Sequence, residues 1–127
     1  MQRQILIVDD EPMIRELLKE AFESIGFTVH EAENGREAFR LVREIPFECV
    51  LSDLRMPGGD GIELANEIHK APGPKPKMFL MTGYSDITLQ KAQALGVLKI
   101  FEKPFNFKDL LQEVSKAVNH GPYLGPA

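Results

Sequence analysis

The chain has 127 residues, with 15 Lys plus Arg against 19 Asp plus Glu and a formal charge of −4; that length suits one domain around one core. Mild acidity without a Lys/Arg cluster excludes nucleic-acid binding by this segment, and no apolar run approaches the ~20 residues of a membrane span. The start, Met1 to Gln4 then Ile5 to Val8 and Asp9, is too short and too soon acidic for a secretory signal, and the single Cys49 excludes an internal disulfide and fits a reducing, cytoplasmic setting.

Strand and helix patterns alternate five times. Ile5-Leu6-Ile7-Val8 is a continuous apolar run, the pattern of a strand buried on both faces. Ile14, Leu17, Leu18, Ala21, Phe22 and Ile25 recur at helical spacing, and Gly26 stops that helix. Phe27 to Glu31 alternates apolar and polar, as an edge strand does. Asn34 is placed to cap a second helix, with Glu37 returning a bond to the cap backbone. That helix carries Ala38, Leu41, Val42 and Ile45. Pro46 ends it, and Cys49-Val50-Leu51 predicts a third, buried strand. Met56 to Gly61 is a loop by composition, followed by a helix with Leu64, Ala65 and Ile68 on one face.

Pro72-Gly73-Pro74-Lys75-Pro76 fits neither helix nor inner strand and predicts a surface connection. Met78 to Met81 is a fourth buried strand. Ser85 or Asp86 is placed to cap a fourth helix, with Leu89, Ala92 and Leu95, ended by Gly96. Leu98 to Glu102 is a mixed fifth strand, hence a second edge. Asn106 caps a last helix carrying Phe107, Leu110, Leu111, Val114 and Val118. Residues 1–119 form the domain; 120–127 read as a Gly/Pro tail or linker. Cys49 reads as a small buried hydrophobe, Met56, Met78 and Met81 as loop and core filling, and His30, His69 and His120 as surface residues.

Five β-α units imply an α/β fold: a doubly wound, five-stranded parallel sheet with five helices on its two faces. Inner first, third and fourth strands with second and fifth edges require the order 2-1-3-4-5, the flavodoxin-like arrangement. Its switch point lies between the first and third strands, and ligands bind outside the carboxyl ends there.

That topology sends Asp9, Asp10, Asp53, Thr82 and Lys103 to one rim. Two like unit charges 4 Å apart repel by about 4 kcal/mol at an effective dielectric of 20. Clustered carboxylates therefore call for a cation, and Mg²⁺ suits few carboxylates with a phosphoryl oxygen still to come. Lys103 and the Thr82 hydroxyl can serve other phosphoryl oxygens. Asp53, already ionised at neutral pH, can attack as the nucleophile.

Val8-Asp9-Asp10-Glu11, Asp53-Leu54-Arg55-Met56-Pro57-Gly58-Gly59-Asp60-Gly61, Met81-Thr82-Gly83 and Lys103-Pro104-Phe105 resemble the response-regulator receiver domain of two-component signalling over roughly residues 4–119. The resemblance implies that Asp53 is the phosphoacceptor for a sensor histidine kinase or histidine phosphotransfer protein. It implies Mg²⁺ held by Asp9, Asp10, Asp53 and the main-chain carbonyl of Arg55, phosphoryl contacts from Thr82 and Lys103, and a cis Lys103–Pro104 bond. Part of the first helix is the implied kinase contact. The output is a conformational switch acting on a partner or downstream domain, and the implied chemistry is self-phosphotransfer and autodephosphorylation rather than turnover as an enzyme.

Two departures stand out. Ile100 occupies the position where the family usually has an aromatic switch residue coupled to the Thr. Leu98 and Lys99 replace acids that one subgroup uses in a dimer of the fourth-helix, fifth-strand, fifth-helix face; Leu98 and Phe101 would make that face apolar, for a homodimer or an effector. Arg55 and Tyr84, at the positions governing phosphoryl lifetime, are both large and would crowd an attacking water. The competing functions are a pseudo-receiver that only binds partners and a Mg²⁺-dependent aspartate-nucleophile phosphohydrolase. The first is disfavoured by the intact acids, Thr and Lys. The second is disfavoured by Arg55 where a general acid would stand.

Overall fold

In a computed structural model, which describes residues 3–83 and 89–119, five β-α units follow one another. They are β1 (Arg3–Val8), α1 (Pro12–Glu23), β2 (Phe27–Ala32), α2 (Gly35–Glu44), β3 (Cys49–Asp53), α3 (Gly61–Lys70), β4 (Lys77–Thr82), α4 (Leu89–Ala94), β5 (Val97–Glu102) and α5 (Phe107–Asn119). The strands form one parallel sheet in the order β2-β1-β3-β4-β5. The apolar inner strands and mixed edges therefore stand where their patterns require.

Alternation along the strands divides the core in two. Ile5 and Ile7 of β1 join Cys49, Leu51, Phe79 and Met81 against Leu18 and Phe22 of α1 and Leu110 and Val114 of α5. Leu6 and Val8 join Val50, Met78 and Leu80 against Ala38 of α2, Leu64, Ala65 and Ile68 of α3, and Ala92 of α4. Burying each such aliphatic side chain contributes about 1.5–3 kcal/mol. Cys49 is fully buried, and burial pushes its thiol far up, so it behaves as a hydrophobe.

Helix ends depart from expectation in detail. α1 stops at Glu23, and the chain leaves through tight bonds from Ile25 to Phe22 and from Gly26 to Glu23. Ile25 thus lies beyond the helix, and it and Leu17 are exposed although both fit the apolar period. Asn34 accepts from the Glu37 amide as expected, but the Glu37 carboxylate bonds the Glu33 amide, one residue before the cap. Asp60 and Glu63 form a reciprocal capping box on α3, and Asn106 caps α5 through the Asp109 amide. Ser85, Asp86 and His120 lie outside the described residues. His30 is half-buried rather than a free surface residue, bonded to Gln4 and edge-on to Phe47. Phe101, expected on an apolar outer face, is core, packed against Phe79; only Leu98 of that pair is exposed. Among the described residues no helix is long and apolar enough to cross a membrane.

Candidate functional site

Parallel strands aligned in register bring their carboxyl ends to one rim, and the topology opens a crevice between β1 and β3. Asp9 follows β1, Asp53 is the last residue of β3, Thr82 the last of β4, and Lys103 follows β5. Asp9 is buried and Asp10, next in the chain, is exposed. Each of Asp9, Asp10 and Asp53 offers a carboxylate oxygen, and these oxygens all lie within 4.8 Å of one another.

Lys103 places its ammonium 3.2 Å from Asp9 Oδ2 and 3.5 Å from Asp53 Oδ1. Its amide donates to the Thr82 carbonyl, and the following Lys103–Pro104 peptide is cis. Burial lifts the Asp53 carboxyl above the usual carboxylate range, and the Asp9 charge adds to this; Lys103 pulls the other way without overcoming it. Burial alone would lower the Lys103 pKa, but Asp9 and Asp53 outweigh it and hold the ammonium more firmly charged than usual.

Asp53 is supported from beneath. The Leu54 amide donates to its Oδ1 at 3.0 Å and to the Met81 carbonyl at 2.8 Å. Gly61, the first residue of α3, donates to the Leu54 carbonyl, and a Cβ there would stand only 2.5 Å from the Asp53 carbonyl oxygen. A residue without a side chain lets α3 begin directly under β3. Farther out, the loop leans on α2: the Gly35 amide donates to the Gly59 carbonyl at 2.9 Å, and Gly59 itself has φ +118°.

The other sequence-selected residues are placed as follows. Thr82 is buried at the rim. Arg55 is exposed two residues after Asp53. Ile100 is half-buried, paired with Leu80 across β4 and β5 and packed on the α3–α4 side of the core. Tyr84 lies outside the described residues. Arg15 was not singled out by sequence. From α1 it donates to the Asp9 carbonyl at 2.7 Å and pairs with Glu31 of β2 at 3.1 Å. Helical periodicity places it on a polar face and gives no sign of these partners.

Three carboxylates facing one ammonium leave surplus negative charge, and their oxygens are hard donors, so the set fits a small divalent cation such as Mg²⁺.

The sequence model of the response regulator receiver domain matches residues 5–115. Sporulation initiation phosphotransferase F of Bacillus subtilis is 36% identical over 117 residues, covering 91% of this chain and 94% of that protein. The transcriptional regulatory protein SrrA of Staphylococcus aureus is 47% identical over 114 residues, 90% of this chain but only 47% of SrrA. Among solved structures, the response regulator TrrA of Thermotoga maritima, in complex with Mg(2+)-BeF, superposes with a TM-score of 0.81 at 39% identity, covering 91% of this chain and 98% of that one.

Proposed function

The chain belongs to the response regulator receiver domain family of two-component signalling, and on that premise we propose that its Asp53 accepts a phosphoryl group from the phosphohistidine of a sensor kinase or histidine phosphotransfer protein. The observation that carries this is the meeting of three carboxylates with one ammonium at the switch point of the sheet.

An Asp53 carboxylate oxygen forms the bond to phosphorus as the phosphorus–nitrogen bond of the donor breaks, and the imidazole leaves with its electron pair and takes up a proton. Asp9, Asp10, Asp53 and the main-chain carbonyl of Arg55 would hold Mg²⁺, which when bound neutralises charge on the phosphoryl oxygens. Lys103, already beside Asp53, turns its ammonium to a phosphoryl oxygen. Thr82, at the end of the neighbouring strand, donates its hydroxyl to another. The new group brings −1.5 to −2 charges in place of one (roughly, at neutral pH). Thr82 follows that charge inward, and the displacement reaches the α4–β5–α5 face, where an effector or a second copy reads it. With Ile100 in place of a ring, the movement rests on Thr82 and its loop.

Incubation with acetyl phosphate and Mg²⁺ followed by intact mass measurement tests this. One added phosphoryl group, absent in Asp53→Asn and after chelation, is the expected result. Turnover without an adduct would indicate a phosphohydrolase, and neither adduct nor turnover a module that only binds partners.

A further inference from the structure

We propose that Arg15 is a positioning residue for the acidic site: it sets the plane of the Asp9–Asp10 peptide and so the place of the Asp10 carboxylate. This rests on taking the acidic cluster as a Mg²⁺ site.

The four polar atoms of Asp9 each have a partner. Its amide donates to the Ala32 carbonyl of β2 at 3.1 Å. Its carboxylate accepts from the Glu11 amide through Oδ1 and from Lys103 through Oδ2. Its carbonyl accepts from Arg15 Nη1 at 2.7 Å, a short, charge-assisted bond. That carbonyl belongs to the same rigid plane as the Asp10 amide, so its direction dictates where the Asp10 backbone continues. Asp10 is exposed and its neighbour is buried, so its carboxylate depends on that plane to face Asp53.

The guanidinium is itself held. Glu31 accepts from Nε at 3.1 Å, and the Arg15 side chain is only 16% exposed. A planar fork can serve the Asp9 carbonyl and Glu31 at once; a lysine ammonium lacks that fixed geometry. β1 and β2, which pair Val8 with Ala32, are thereby fastened a second time beyond the end of their ladder.

Charge and geometry predict opposite signs here. Arg15 is a cation beside a cation site, so by charge alone its removal would tighten Mg²⁺ binding. If it acts by positioning, removal weakens binding. The test is calorimetric titration of wild type, Arg15→Met and Arg15→Lys with Mg²⁺ alone, with thermal unfolding in chelator as the check on folding. The expected result is a dissociation constant raised about tenfold in Arg15→Met, the usual scale for loss of a group that orients a ligand. Arg15→Lys, which keeps the charge and loses the fork, is weakened as well and serves alone if the Met variant does not fold. Unchanged or tighter binding in the folded variants overturns the proposal and leaves the Mg²⁺ site standing. A wild type that takes up no Mg²⁺ at millimolar concentration overturns both.

Discussion

Lys103, just past the end of edge strand β5, sits 3.2 Å from Asp9, just past the end of β1, with β4 and β3 lying between the two strands. It is the positive partner that lets a fully buried carboxylate persist among like charges. Lys103→Met leaves Asp9 and Asp53 facing each other with that cation gone. A loss of about 1–3 kcal/mol in urea unfolding is expected, discounted for the partial exposure of the pair. Millimolar Mg²⁺ restores part of it. The ammonium is held charged in the fold, so its contribution is complete below the unfolded pKa of about 10.4 and fades only as pH rises above it. A variant as stable as wild type would remove Lys103 from the electrostatic account.

Asp53→Asn makes the converse case. The folded state raises the Asp53 pKa, so its contribution to stability is present below the unfolded value of about 3.9 and is lost as pH rises through the folded value. Without Mg²⁺ at neutral pH, Asp53→Asn is therefore expected to be more stable than wild type by about 1 kcal/mol, roughly 4 °C in Tm. The gap closes toward acid pH. Saturating Mg²⁺ raises the Tm of wild type and leaves the variant nearly unmoved. Calorimetric scans across pH, with and without Mg²⁺, decide it.

Gly61→Ala brings a Cβ to 2.5 Å from the Asp53 carbonyl oxygen and 3.1 Å from the Leu54 Cα, both backbone atoms that cannot swing aside. The expected cost is about 1–3 kcal/mol. Acetyl phosphate labelling slows as well, because the displaced atoms belong to the acceptor strand. Normal labelling at reduced stability would show that α3 does not help position Asp53.

At position 100 the isoleucine packs against the α3–α4 side of the core rather than presenting a ring to Thr82. Ile100→Tyr is expected to widen the difference in effector or partner binding between phosphorylated and free protein. If that difference is unaltered, switching passes through the Thr82 loop alone.

Arg55 and Tyr84 stand, by resemblance to the family, at the positions that govern phosphoryl lifetime, so Arg55→Asn combined with Tyr84→Glu replaces two large side chains there. Autodephosphorylation is expected to quicken about tenfold, a change of about 1.4 kcal/mol in barrier. The decay of the phosphorylated mass after donor removal measures it. An unchanged half-life would discard crowding by these two side chains.

Sequence by itself determined the strand order and the rim. Apolar runs at Ile5–Val8, Val50–Leu51 and Met78–Met81 can be satisfied only by burial on both faces, and the alternating segments only at edges. Once that order holds, the ends of the strands must carry Asp9, Asp53, Thr82 and Lys103 to the same side. Tertiary structure decided what period and composition leave open. A helical repeat marks an apolar face but not how wide a strip its neighbours cover, so Leu17 fits the repeat of α1 and is exposed. On β5, apolar character left Phe101 and Leu98 alike, and the fit against Phe79 put Phe101 in the core while Leu98 is exposed. The partners of Arg15 are Asp9, just after β1, and Glu31 of β2, 6 and 16 residues away. Such a bond depends on the pitch of a helix across a strand, a distance in space that no spacing along the chain encodes.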